Sequence, residues 1–260
     1  MTDQGNSTSS ERVSSEAGAA VFPVVVLAGG LATRLRPITE TIPKCLVEIN
    51  GVPFIDIQLR QLASQGVTRV IVLIGYLGEM VLEYVGDGSR YGLEVVFVPD
   101  GPRLLGTAGA LRAALNHLPE TFFVLYGDSY LRCSYQAIQE LYLESGRSVL
   151  MTLFRNNRQW DTSNVRFVDG TVEAYSKRSV TPDMNHIDYG LMVFKRDIIE
   201  AVPAGQEYDL ATVLEERVHS QAVVGFEVLD RFYEIGSHDG LRDLSDFLLT
   251  VKAPEGCTSS

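Results

Sequence analysis

The chain reads as an α/β protein, a Rossmann-like and mostly parallel sheet flanked by helices, and two observations predict it. From residue 24 onward, short runs rich in β-branched and aromatic residues alternate with amphipathic stretches of helical period. The first of these runs, Val24-Val25-Val26-Leu27, is apolar without alternation, as a buried strand should be, and it opens directly into Gly29-Gly30. After strand 24–28, a helix is expected over 53–65. Pro53 sits in its first turn, Ile55, Leu59 and Leu62 share one face, and Gly66 lies in the usual C-terminal position. A strand over 69–74, a helix over 78–85, a strand over 93–98, a helix over 108–117 and a strand over 122–126 continue the alternation.

Past Asp128 the rhythm changes. A helix over 135–145 precedes strands over 149–154, 165–168 and 171–175, the last two joined by the hairpin signal Asp169-Gly170. A strand over 188–194, a helix over 210–219, strands over 222–228 and 232–235 and a helix over 239–249 complete the pattern. With no internal repeat and no dividing linker, residues 21–250 are expected to form one domain with a sheet-rich second half. A disordered tail over 1–20, rich in Ser, Thr, Gly and Glu, and a flexible tail over 251–260 flank it.

The 260 residues, 45% apolar and 21% charged, suffice for a sizeable core. A net charge of -11 repels a phosphate backbone, which argues against a nucleic-acid partner. No run approaches the roughly 20 apolar residues of a membrane span. Cys45, Cys133 and Cys257 are widely spaced and lack ligand-spaced His, so neither a disulfide framework nor a zinc site is indicated, and a cytoplasmic setting is expected.

Against that acidic background, the segment from Val24 to Glu48 is a cationic exception. Gly29 and Gly30 let the backbone turn and bring its N–H groups against phosphate or base, and Arg34, Arg36 and Lys44 add positive charge at the same mouth. Ligands of open α/β sheets bind beyond the carboxyl ends of the strands, and two further strand-end segments qualify. In Leu105-Gly106-Thr107-Ala108-Gly109-Ala110, Gly106 and Thr107 are placed to read a base edge, with a helix N-terminus that favours an anion. In Tyr126-Gly127-Asp128, a buried strand delivers a carboxylate that suits either a metal ion or the cap of a following helix. Paired glycines also occur in many α/β turns, and these match neither a Walker loop nor the dinucleotide fingerprint, which disfavours an NAD-linked oxidoreductase. His117 and His219 suit helix C-termini, and His186, just before Ile187-Asp188-Tyr189-Gly190, is the one histidine near candidate chemistry. Ser129 lies in no nucleophile elbow.

The run LAGGLATRLRPITETIPKCLVEINGVPFI resembles the signature of sugar-1-phosphate nucleotidyltransferases, the nucleotide-sugar pyrophosphorylases. The likeness extends through LLGTAGAL, the strand-end Gly127-Asp128, Lys177 in AYSKR, IDYG and YEIGS, covering nearly all of 22–250. The chain looks most like the compact branch with heptose-1-phosphate guanylyltransferases and muramic-acid-type uridylyltransferases, without a C-terminal acyltransferase module. The resemblance implies transfer of a nucleoside monophosphate from a triphosphate to a sugar-1-phosphate with release of pyrophosphate. It favours GTP, with UTP, dTTP or CTP as alternatives, and a non-catalytic sensing subunit as the reading from another class.

By that similarity, Leu27, Ala28, Gly29, Gly30, Gly106 and Thr107 hold the nucleotide, while Arg34 and Lys44 contact the triphosphate and sugar phosphate. Asp128 is the main Mg2+ ligand with Glu234 as its partner, which makes Arg34, Lys44 and Asp128 the catalytic set. Lys177 binds the sugar-1-phosphate, and Asp188 with Asn164 touches sugar hydroxyls. The family often forms homodimers. This chain departs from the common pattern at Ala32, where glycine is usual, at Glu234, where aspartate is frequent, and at Asp188-Tyr189, where Asn-Ala or Asn-Gly is more frequent.

Overall fold

The computed structural model describes residues 20–30, 32–101 and 103–251, so the expected tails at 1–20 and 251–260 lie almost wholly outside the described residues. Strand β1 (Val24–Ala28) leads through three single 3-10 turns to a small hairpin, β2 (Glu48–Ile49) with β3 (Val52–Pro53), and then α1 (Phe54–Ser64). Strand β4 (Arg69–Ile74), α2 (Gly78–Val85), β5 (Glu94–Pro99), α3 (Gly106–Ala113) and β6 (Thr121–Tyr126) follow. The second half runs β7 (Ser129–Tyr130), α4 (Tyr135–Ser145), β8 (Val149–Phe154), β9 (Val165–Val168), β10 (Thr171–Tyr175) and β11 (Ile187–Lys195). It closes with α5 (Arg196–Glu200), α6 (Leu210–His219), β12 (Val223–Val228), β13 (Tyr233–Glu234) and α7 (His238–Val251).

Nine strands form one sheet in the order β5-β4-β1-β6-β11-β8-β12-β10-β9. The first four are parallel, β11 joins β6 and β8 antiparallel, and β12 is parallel to β8. Because β1 continues to β4 on one side and is flanked by β6 on the other, the chain reverses direction along the sheet there. A crevice therefore opens beyond the carboxyl ends of β1 and β6.

The unalternating apolar run of β1 is explained by burial on both faces. Val25 packs with α3, α5 and α6 through Leu111, Ile199 and Leu214, while Val24 and Val26 pack with α1, α2 and α4 through Leu59, Val81 and Ile138. A third cluster joins Phe54 of α1 and Ile49 to Leu244 and Leu248 of α7, with Ile235 between them. It holds the end of the chain against the crevice.

The expected α/β class and nearly every strand are present. Three differences have local causes. The helix expected over 108–117 starts at Gly106 and ends at Ala113, after which Leu115–His117 forms a separate 3-10 turn. The strand expected over 232–235 contributes only Tyr233–Glu234 and leaves the main sheet to pair with β7, Glu234 opposite Ser129. Finally, β11 carries an irregularity between Asp188 and Met192. Gly190 at its centre has φ 98°, where a Cβ would stand 3.1 Å from Ser129 Oγ. That bulge re-aims the strand beside the crevice.

Candidate active site at the carboxyl ends of β1 and β6

Two cavities adjoin at the crevice. The first, of about 560 Å³, is lined by the ends of β1 and β6, the glycine loop and the start of α3. Leu27, Ala28, Gly29, Gly30, Gly106, Thr107, Lys44 and Asp128 all contribute to its wall. The second, of about 390 Å³, is bounded by Asn164, Lys177, Asp188 and Glu234. Tyr126 and Asp128 belong to both, so the strand end of β6 is the partition between them. Volumes of this size suit small-molecule ligands.

At the partition, Lys44 Nζ donates to Asp128 Oδ2 at 2.6 Å. Lys44 follows Pro43 and opens a single 3-10 turn, Lys44–Leu46, whose Cys45 is anchored in the core. Asp128 is fixed from three directions. Its carbonyl accepts the Ile235 N–H at 2.9 Å, its Oδ1 receives a long contact of 3.4 Å from Ser129 Oγ, and buried Gln58 of α1 donates to the carbonyls of Tyr126 and Ser129 on either side. Pairing of β7 with β13 then brings Glu234 to the same wall, where its carboxylate accepts from the Gly236 N–H at 3.0 Å and Ser237 Oγ at 3.2 Å.

The second cavity has a polar floor. Asp188 accepts the Gly190 N–H at 3.0 Å and the Tyr126 hydroxyl at 3.3 Å, and its own N–H donates to Asn164 Oδ1 at 3.3 Å. Burial raises the Asp188 carboxyl above the usual carboxylate range, and the positive charge of Lys177 pulls it part of the way back. Lys177 Nζ stands 5.5 Å from the centroid of the Tyr126 ring, held there by a cation–π contact.

Several sequence expectations are redirected. Arg34 is exposed on the turn Thr33–Leu35 and is outside the lining of both cavities. Its Nη2 instead lies 3.2 Å from where a Cβ on Gly236 would stand, on the Glu234 side. At the N-terminus of α3, the N–H groups of Ala108 and Gly109 are taken by the Tyr208 carbonyl at 3.0 and 3.1 Å, which leaves those of Gly106 and Thr107 for a ligand. The Thr107 hydroxyl is committed as well, donating to Asp209 Oδ1 and accepting from the Leu210 N–H at 2.8 Å, which ties α3 to the start of α6. His186 turns away from both cavities to pair with Glu227 at 3.1 Å against the Phe167 ring. Ala32, where glycine was the expected type, has φ 47° and ψ 45°, the left-handed conformation that glycine adopts without strain.

Residues that the sequence did not single out are Asp100, Leu104 and Glu207 in the first cavity, Tyr126 on the partition, and Asp161 with Thr162 in the second. Asp100 had a signal available: it is a carboxylate one residue past β5, as Asp128 is two residues past β6. Among the described residues, no group of three or more His, Cys, Asp or Glu side chains is arranged to hold a metal ion. The carboxylate pair of Asp128 and Glu234 on one cavity wall is the hard-oxygen set nearest to that role, and it suits an ion that takes its remaining ligands from water and substrate.

The open α/β sheet thus carries two adjoining cavities at its direction reversal. A family model described as nucleotidyl transferase matches residues 23–251, and the chain belongs to that family. The UTP–glucose-1-phosphate uridylyltransferase of Synechocystis is 29% identical over 203 residues, covering 72% of this chain and 52% of its own length. The mannose-1-phosphate guanylyltransferase of Mycobacterium tuberculosis is 30% identical over 186 residues, covering 70% and 51%. The chain thus spans about half the length of those two relatives, and 92% of the N-acetylmuramate alpha-1-phosphate uridylyltransferase of Neisseria meningitidis, with 26% identity over 219 residues and 82% of this chain covered. Among solved structures, HddC from Yersinia pseudotuberculosis complexed with GMP-PN superposes with a TM-score of 0.73 at 24% identity, covering 87% of this chain and 99% of that one, a likeness of fold.

Proposed function

We propose that the protein transfers a nucleoside monophosphate from a nucleoside triphosphate to a sugar-1-phosphate, releasing pyrophosphate, with GTP preferred over UTP, dTTP and CTP. The observation that carries this reading is the Lys44–Asp128 contact at the partition shared by two cavities. A nucleotide in the first cavity and a sugar phosphate in the second meet there. The guanylyltransferase relative is in keeping with GTP, as the uridylyltransferase relatives are with UTP.

The chemistry is displacement at the α-phosphorus. An oxygen of the sugar phosphate forms the new P–O bond as the bond to pyrophosphate breaks. A phosphate monoester has a second pKa of about 6, so this oxygen is largely deprotonated near neutral pH and no general base is needed. That accords with cavities lined without a histidine. The difficulty is repulsion between two anions, and the answer is positioned positive charge. Lys44 supplies it at the partition and Lys177 at the sugar phosphate, while Arg34 reaches the triphosphate by turning from the Gly236 segment. Leu27, Ala28, Gly29, Gly30, Gly106 and Thr107 wall the nucleotide, and Asp188 and Asn164 receive sugar hydroxyls. Asp128 and Glu234 would hold Mg2+, which when bound supplies charge neutralisation and orientation of phosphate oxygens. The protein is read as acting in the cytoplasm.

Pyrophosphate release, measured for each common nucleoside triphosphate against a panel of sugar-1-phosphates with and without Mg2+, tests the proposal. Release is expected only with both substrates and the metal present. Silence across the whole grid overturns it in favour of a ligand-sensing role, and release without divalent metal removes the roles given to Asp128 and Glu234.

A further inference from the structure

A third cavity, of about 600 Å³, adjoins the second, and the transfer chemistry has no use for it. Asp161 and Thr162 line both, whereas the first and third share no residue, so the second lies between the other two. Whatever enters the third cavity is therefore on the side of the sugar away from the partition.

One wall of this cavity is the segment 158–162 between β8 and β9, and that segment is built. Asn157 and Arg158 are both left-handed, with φ 46° and 62°, a conformation that residues other than glycine keep only where their surroundings over-determine it. The brace is Asn156, which is wholly buried. Its Nδ2 donates to the Asp161 carbonyl at 2.6 Å and to Ser163 Oγ at 3.1 Å, its Oδ1 accepts the Trp160 N–H at 3.2 Å, and its carbonyl accepts the Gln159 N–H at 3.0 Å. Arg158 closes the loop by donating to the Thr181 carbonyl at 3.1 Å.

What this scaffold holds up is the chain's single tryptophan. Trp160 is half-exposed, and Arg231 stacks on its ring at 3.5 Å from the centroid. Arg231 is outside the cavity lining and is fixed in turn by Asp243 of α7 and the Tyr233 ring, so the indole is backed by protein and the rest of it is left to the cavity. Val180 and Pro182 stand with it, and Arg158, Gln159 and Thr162 bring hydrogen-bonding groups to the same wall. An aromatic surface rimmed by polar side chains suits a ligand that is apolar on one face and hydroxylated at its edge, which is the character of a sugar ring. One arginine and one aspartate in the lining leave no net charge to select an ionic group.

We propose that the third cavity is an extension subsite for the acceptor: the sugar-1-phosphate that this protein uses carries a second sugar ring, which lies against Trp160 while the first ring occupies the second cavity. The inference rests on the reading of the second cavity as the sugar-phosphate site. It narrows the acceptor class to glycosylated sugar phosphates.

The test compares two pairs of acceptors, glucose 1-phosphate with maltose 1-phosphate and mannose 1-phosphate with mannobiose 1-phosphate. Pyrophosphate release by the intact protein is measured for each with the common nucleoside triphosphates and Mg2+. The extended member of at least one pair should be used roughly tenfold better in kcat/KM, through KM, as burial of one ring face provides. Trp160→Ala should bring that ratio close to one, and Trp160→Phe, which keeps a ring, should retain most of it. Tryptophan emission of the wild type, which reports Trp160 alone, should shift with the extended member of the pair and not with the simple one. Equal or better use of the simple member in both pairs, or a ratio unmoved by Trp160→Ala, overturns the subsite. The wild-type comparison stands even if the variants fail to fold. An emission shift with an extended acceptor but no release from any of the four keeps the subsite and sinks the transferase reading, and silence in both readouts sinks the subsite as well.

Discussion

Around the first cavity, the parallel strands β1 and β6 end in backbone, with glycines, short apolar side chains and strand-end carbonyls forming most of the wall. Around the second, the antiparallel half offers side chains from separate places: Asn164 before β9, Lys177 after β10, Asp188 at the β11 bulge and Glu234 on β13. The contrast teaches how each half bears change. A wall of backbone has few positions at which a substitution alters the ligand without breaking the fold, whereas a wall of side chains is retuned one residue at a time.

The partition belongs to both halves, and its loss should be felt most. Lys44→Ala and Asp128→Ala are each expected to lower kcat by about a hundred- to a thousandfold while far-UV circular dichroism stays native. Near-normal turnover in either variant removes that residue from the mechanism. In the backbone-walled half, Gly75→Ala forces its Cβ onto the Gly29 carbonyl and should lower stability by about 1–3 kcal/mol in urea unfolding, with weaker nucleotide binding. A variant as stable as wild type would mean that the backbone wall yields to an added methyl group.

In the side-chain-walled half, Asp188→Asn should raise KM for the sugar phosphate by about tenfold and leave nucleotide affinity unchanged, the split expected of independent walls. A parallel loss of nucleotide affinity would mean that the Tyr126–Asp188 contact couples the two cavities. The smallest effect concerns the loop itself: Ala32→Gly relieves a left-handed alanine and should add about 1 kcal/mol of stability, a rise of a few degrees in Tm by calorimetry.

Much of the first cavity was legible because its components are contiguous. The β1 run, the glycine pair and the Pro43-Lys44 turn fall within one stretch, and the strand-end rule adds Gly106 and Asp128. What escaped depends on pairings distant in sequence. The Thr107 hydroxyl is taken by Asp209 and Leu210, more than a hundred residues on, and the Tyr208 carbonyl caps α3 from the same remote loop. Asp100 faces the cavity only because β4 separates β5 from β1 in the sheet. Gln58 read as one polar position of an amphipathic helix, and nothing local marks it as the brace of the Tyr126–Ser129 corner. Helix α5, five residues long, and the two-residue strands are too short for any periodicity to register.

The 2.6 Å contact between Lys44 and Asp128 has an implication for metal binding. The ammonium spends one of its three N–H donors on Asp128 Oδ2 and keeps two for phosphate, and Asp128 keeps Oδ1, which receives only the long Ser129 contact. A triphosphate that draws on the lysine loosens its hold on Oδ2 and frees that oxygen for a positive ion, so Mn2+ should bind more tightly with nucleotide present than without it.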